Sequence, residues 1–285
     1  MDEPPETPWP PLAGRVTRSS RHWHQIGHPH VEPRRYALYP CGLAQLVIGA
    51  APWPTSLVLG PRAGPLTIRV DAPARCLGVH MTPRVAHALL GRPMDVTAGA
   101  MLELRDVAGD AADRLAHALP AGWPAAFERV DRFLRERLAG YVPEADAVTV
   151  AWRLLVRAAG RMTVGELARR TRMSERLLEL RFREQIGLSP KTSARLLRLR
   201  HALGLLAEGR PGAQVAMECG FYDQAHLSRD CRALTGRRPS WFTGAGGTVR
   251  AHFEYFGFVQ DGLLALDDHD EGGRSASVPR VEGRS

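Results

Sequence analysis

Lysine is almost absent. Of 38 Lys+Arg residues only Lys191 is lysine. With 28 glycines, 22 prolines and abundant alanine, this points to a GC-rich genome, so part of the arginine excess is compositional. Long apolar runs are missing too: none approaches the roughly 18 residues a membrane helix needs. The first residues, MDEPPETPWPPLAG, have neither a basic n-region nor an apolar h-region, so no secretory signal is expected. The four cysteines (41, 76, 219 and 231) show no CxxC spacing. They are expected to be reduced thiols in a cytoplasmic protein. No stretch resembles a catalytic triad, a phosphate-cradling glycine loop or a paired-carboxylate site. No catalytic residue, cofactor or membrane partner is therefore assigned, and no enzyme is expected.

What is present is unevenly spread. The chain has 285 residues, enough for one large or two ordinary domains. Its hydrophobic content of 44% and charged content of 24% are ordinary for a globular protein. The net charge is +8 and the pI about 10.0. Residues 151–242 hold 18 Lys+Arg and 8 Asp+Glu, a net +10, which leaves −2 for the rest. A basic region attached to a near-neutral one suits a nucleic-acid reader with a separate sensing domain.

The pattern predicts an α+β chain. Residues 1–20 read as a disordered leader. Over 21–140, the runs RYALY, AQLVIG, TSLVLG, LTIRV and CLGVHM recur about every ten residues between Pro and Gly. That is the spacing of an antiparallel sheet or small barrel. A helix follows, with Thr82 as N-cap, Pro83 at N1 and Gly91 as the stop. In GWPAAFERVDRFLRERLAG, Trp123, Phe127, Val130, Leu134 and Leu138 share one helical stripe. The stripe packs on its own domain or forms a dimer interface. Residues 141–150 read as a linker, 151–242 as an all-helical domain, and 243–285 as an extension, mostly disordered after about 262.

The helical part divides into two units. Thr163 and Glu166 form a T-x-x-E capping box opening VGELARR. After a break at TRM, Ser174 caps ERLLELRFREQI and Gly187 ends it. Two short helices around a tight turn are the motif that puts its second helix in a major groove. At ~100° per residue, Leu178 and Phe182, with Leu177 beside them, fall on a core face. Arg176, Glu179, Leu180 and Arg183 face outward. Ser189 and Pro190 then open a long helix of about 30 Å, close to one DNA turn of about 34–36 Å. In the second unit Gly220 breaks the chain and Asp223 caps the next helix. Leu227, Cys231 and Leu234 form its core stripe, opposite Ala225, Arg229 and Arg232, with Ser228 and His226 flanking. Gln224 lies in the first turn. His226 and Cys231 are five residues apart, about 140° around the helix, so they do not suit one metal ion.

These residues resemble the AraC/XylS family of bacterial transcription regulators. The likeness rests on F-R-x-x-x-G-x-S-P at 182–190, on RLRHALGLL, and on G-F-Y-D-Q-A-H-L-S-R at 220–229. It covers roughly residues 160–242. LAQLVIG, VLGPRAGP and LGVHMTPRVAHALLG are more loosely similar to a sensor-like domain found ahead of such units. The resemblance implies a cupin-like or half-barrel β domain that senses a small-molecule effector or mediates dimerisation. It also implies a double helix-turn-helix domain on duplex DNA, with RNA polymerase as a partner. Carried over by position, Arg176, Glu179 and Leu180 would read bases from the first unit. Gln224, Ala225, His226, Ser228 and Arg229 would do so from the second. Gln suits adenine and Arg suits guanine, each worth about 1–3 kcal/mol of discrimination. Thr163, Ser174, Arg183 and Arg232 are the phosphate candidates. Leu180 and Cys231 depart from the family, where arginine and phenylalanine are usual. Arg176, Arg183 and Arg232 read alternatively as solvated faces, and His226 as packing on the long helix.

Two other readings come from the amino-terminal part. HWHQIGHPH places His22, His24, His28 and His30 where alternate side chains share a strand face, with Glu32 and His80 as further donors. No acidic or cysteine partner has convincing spacing, so no metal is assigned and a loosely structured segment is expected. A metal- or small-molecule-binding β-barrel enzyme with an ancillary helical module is the alternative function. A DNA-damage or redox-responsive regulator acting through Cys41 or Cys76 is a third.

Overall fold

The computed structural model describes residues 7–8, 16–19, 23–31, 33–40, 42–49, 56–119, 121–140 and 146–244. The fold is α+β. Its strands are β1 (Thr7–Pro8), β2 (Val16–Ser19), β3 (Trp23–Val31), β4 (Arg34–Leu38), β5 (Ala44–Gly49), β6 (Ser56–Leu59), β7 (Leu66–Val70), β8 (Ala74–Met81) and β9 (Met101–Glu103). A six-stranded sheet runs β2-β3-β8-β5-β6-β9, and a three-stranded sheet runs β1-β4-β7. Neighbours are antiparallel except β1 and β4, which are parallel. Helix α1 (Pro83–Leu90) has the expected ends: the Thr82 hydroxyl accepts from the Val85 N–H, and Gly91 is left-handed. A 3-10 turn (Met94–Thr97), α2 (Arg105–Ala108), α3 (Asp110–His117) and α4 (Trp123–Arg137) complete the first half.

The large sheet is apolar on both faces. Leu46, Ile48, Leu77 and Val79 pack on one side against Val85, Leu89, Leu115, Phe127 and Leu134. On the other side Val47, Leu59 and Cys76 meet Tyr36, Leu38, Ile68 and Val70 of the small sheet. The α4 stripe is part of the first cluster, so those side chains pack on their own domain.

Three expectations about the organisation of the chain differ from the structure. The histidine segment is not loose: it is β3, paired on both sides by β2 and β8. Residues 7–8 and 16–19 of the expected leader are strands, because β4 and β3 offer edges to pair with. Helix α5 (Ala147–Arg157) begins inside the expected linker, where Asp146 accepts from the Thr149 N–H at 2.8 Å.

On β3, the inward donors of Trp23 and Gln25 are met by α4. The Trp23 indole N–H donates to Asp131 Oδ1 at 2.8 Å, and the Gln25 amide donates to the same oxygen at 2.6 Å. Asp131 is buried, with Arg135 at 3.6 Å from its other oxygen. Asp131→Ala is expected to cost about 1–3 kcal/mol for each buried donor it strands. Denaturant unfolding checks this, and Asp131→Asn, which keeps an acceptor oxygen, should cost less.

The second half is helical: α5, then α6 (Val164–Thr171), α7 (Glu175–Ile186), α8 (Pro190–Ala207), α9 (Gly212–Glu218), α10 (Gln224–Thr235) and α11 (Pro239–Gly244). The two halves share cores. Ile26 and Leu43 join Trp152, Leu178 and Phe182, whereas Ala37 and Tyr39 join Leu196, Leu227 and Phe242. The Tyr39 ring meets Trp241 and Phe242 edge-on, at centroid distances of 5.7 and 5.3 Å. Gly187 ends α7 with φ of 88°, and a Cβ there would lie 2.9 Å from the Met94 carbonyl oxygen. Glycine is needed for both the turn and the approach.

Candidate nucleic-acid interface

The first unit is built by its caps. The Glu166 N–H donates to Thr163 Oγ1 at 3.2 Å, and the Thr163 N–H donates back to Glu166 Oε2 at 2.8 Å. The Thr163 backbone N–H, then its hydroxyl, hold the Glu166 carboxyl below the usual range. The same hydroxyl donates to Glu166 at 2.8 Å, so it already serves the cap. Arg172 turns the chain in the left-handed region, φ 55°. Ser174 Oγ then accepts from the Leu177 N–H at 3.2 Å and starts α7. Leu167, Leu178, Phe182 and Ile186 are buried against Trp152 of α5.

The outward face of α7 is as the helical spacing predicts. Arg176, Glu179, Leu180 and Arg183 are exposed, Leu180 by 63%. Arg183 donates to Glu179 at 3.0 Å, so those two charges partly serve each other. Leu177 is the exception. Expected beside the core, it is 43% exposed, because it lies about 100° from Leu178, beyond the edge of the packed stripe.

Helix α8 has 18 residues, a length of about 27 Å. Its start is capped by Ser189, which accepts from the Thr192 N–H. Gly160, with φ of 73°, lies so close to α8 that a Cβ would collide with the Ala194 carbonyl oxygen.

The second unit repeats the design. After α9, Gly220 turns with φ of 75°, and Asp223 caps α10 by accepting from the His226 N–H at 2.6 Å. Leu227, Cys231 and Leu234 are buried in one cluster with Cys219 and Phe221. Gln224, Ala225, Arg229 and Arg232 are exposed, and Ser228 is half-buried. His226 is drawn back into the unit: its Nδ1 accepts from the Tyr222 N–H at 3.3 Å, and its ring meets Phe221 edge-on.

Sequence reasoning missed other residues here. Tyr222 is 90% exposed and Met217 76%, both beside the turn. Tyr222 directly precedes the cap, which was its one signal. The grips of α8 on this unit had none: Arg195 pairs with Asp230 at 2.8 Å, and Arg198 lies over the Phe221 ring and donates to the Gly220 carbonyl.

Burial sets the thiol chemistry. It pushes Cys76 up to about 12 and Cys219 and Cys231 up to about 11. Deprotonated thiol is the nucleophile, so these three should stay unlabelled by maleimide at pH 8 for as long as the chain is folded. Mass spectrometry of native and denatured chains checks this. Fast native labelling of Cys76 would contradict its burial. Cys41, His22 and Glu32 lie outside the described residues. Among the described residues no three His, Cys, Asp or Glu side chains gather to hold a metal ion, and no helix is long and apolar enough to cross a membrane.

The sequence profile of the helix-turn-helix domain family matches residues 167–244, which takes in both outward-facing helices. This region is an AraC-type helix-turn-helix domain. Helices α7 and α10 are the second helices of its two units. No curated protein matches the chain. Solved structures similar in shape include ToxT from Vibrio cholerae in a P21 form, 12% identical, covering 78% of this chain and 98% of that one, with a TM-score of 0.43. ToxT from Vibrio cholerae O395 is also 12% identical, covering 80% and 100%, with a TM-score of 0.42.

Proposed function

We propose that the chain is a sequence-specific transcription regulator whose AraC-type domain reads duplex DNA through α7 and α10. The observation that carries this is the domain match over two capped units, each presenting polar side chains outward. Arg176, Glu179 and Leu180 are the base-reading set of the first unit. Gln224, Ala225, Ser228 and Arg229 are that of the second, with His226 in the weaker position because it is tied to its own turn. Thr163, Ser174, Arg183 and Arg232 face the phosphates. The chain works in the cytoplasm, without catalysis of its own, and engages RNA polymerase.

The β domain senses a small molecule or pairs two copies. In support, an open surface cleft of about 320 Å³ lies where its loop Pro61–Leu66 and Ala98–Gly99 face Leu188, between α7 and α8. That is within the usual range for ligand pockets. A molecule there would touch the junction of the first unit with the long helix.

Two substitutions separate the roles. Arg229→Ala should cost about 1–3 kcal/mol and relax preference at one base position. Arg232→Ala should weaken all duplexes evenly and lower the salt slope by about one. In vitro selection of bound duplexes followed by titration reads both. Selection that returns no preferred sequence would defeat the proposal.

A further inference from the structure

Asp230 is a charged residue on the packed side of α10, among Leu227, Cys231 and Leu234. Its Oδ1 forms an ion pair with Arg195 Nη2 of α8 at 2.8 Å and lies 3.9 Å from His226 Nε2. Its Oδ2 is buried and has no hydrogen-bond partner among the described residues. A half-satisfied buried carboxylate costs stability, and an apolar side chain of similar size would pack there at less cost. What the pair adds is direction. Apolar contact is non-directional, so it leaves a short helix free to rotate slightly on its bed. A guanidinium–carboxylate ion pair falls off with distance, so rotating α10 on α8 would weaken it.

The surroundings make this contact the one that keys α10. Cys231 is a small side chain in the apolar stripe and offers little to interlock. On α8, Arg198 follows Arg195 by about one turn and holds the Gly220–Phe221 turn. One helix therefore grips the unit at the turn and again at the middle of α10. His226 joins the two grips: Nδ1 accepts from the Tyr222 N–H, which leaves Nε2 as the protonated nitrogen facing Asp230. Arg229, adjacent in sequence, projects outward from the same turn of helix.

We propose that Asp230 is the positioning residue of the second reading helix: through Arg195 it sets the rotation of α10 on α8, and so which bases Gln224, Ala225 and Arg229 meet. This rests on the reading of α10 as a DNA-contacting helix. The test uses the full chain, with Asp230→Leu, Arg195→Met and the double variant, folding being followed by circular dichroism. Base preference is measured position by position on selected duplexes. Each single variant is expected to lose roughly tenfold in preference over the half-site read by α10, with the other half-site unchanged. The double variant should lose no more than either single, because both remove one interaction. Should Asp230→Leu fail to fold, Arg195→Met alone carries the same expectation. Unaltered preference in folded single variants, or additive losses in the double, would overturn the positioning role. A wild-type chain without preference at the second half-site would overturn the DNA reading of α10 itself, and the positioning role with it.

Discussion

Raising salt from about 50 to about 200 mM is expected to weaken binding to duplex DNA by about 10³-fold or more, the loss for a protein that neutralises six to ten phosphates. The charge that drives this lies between residues 151 and 242, at net +10. Four of its arginines are taken up in ion pairs. Arg181, Arg183, Arg195 and Arg210 pair with Glu184, Glu179, Asp230 and Glu218. Those four pairs remove equal numbers of each sign, so the surplus remains on other arginines, among them the exposed Arg169, Arg170, Arg176, Arg229 and Arg232. Counterion release should therefore dominate affinity, while the exposed faces of α7 and α10 set the sequence. Fluorescence anisotropy across a salt series checks the slope. An affinity that ignores salt would mean the arginine surplus is compositional and solvated.

Phe182→Ala is expected to have the largest effect on stability, about 3–5 kcal/mol, with a fall in Tm on the order of 10 °C. The ring is fully buried on α7, with its centroid 6.3 Å from that of Trp152. Its cluster also holds Ile26 and Leu43 of the β domain, so the damage should reach both halves as one broadened or lowered transition. Leu180, two residues earlier on the same helix, faces out. Leu180→Ala should stay within about 0.5 kcal/mol of wild type in stability, and change DNA binding instead. Thermal unfolding of the two variants side by side separates packing from reading on one helix.

The features legible in the sequence were those fixed locally. The capping box at Thr163 and Glu166, the Ser174 and Asp223 caps and the Gly187 stop each need only three or four neighbouring residues. The strands from β4 to β8 announced themselves as short apolar runs between turn residues. β3 did not, because Gln25 is acceptable inside only through Asp131, a hundred residues further on. The turn before α7 lacks glycine, and Arg172 takes the left-handed conformation there. The outward faces of α7 and α10 followed from helical angle alone. The Arg195–Asp230 pair and the Tyr39–Trp241–Phe242 contact did not, since each depends on how separate elements dock.

The central claim is that one chain reads DNA with two helices set apart by α8. Methylation protection of guanine N7 by the full chain on its selected duplex tests it most directly. Two clusters of major-groove protection on one face of the DNA, about 10–10.5 base pairs apart, are the predicted result. A single cluster, or two on opposite faces, would contradict it.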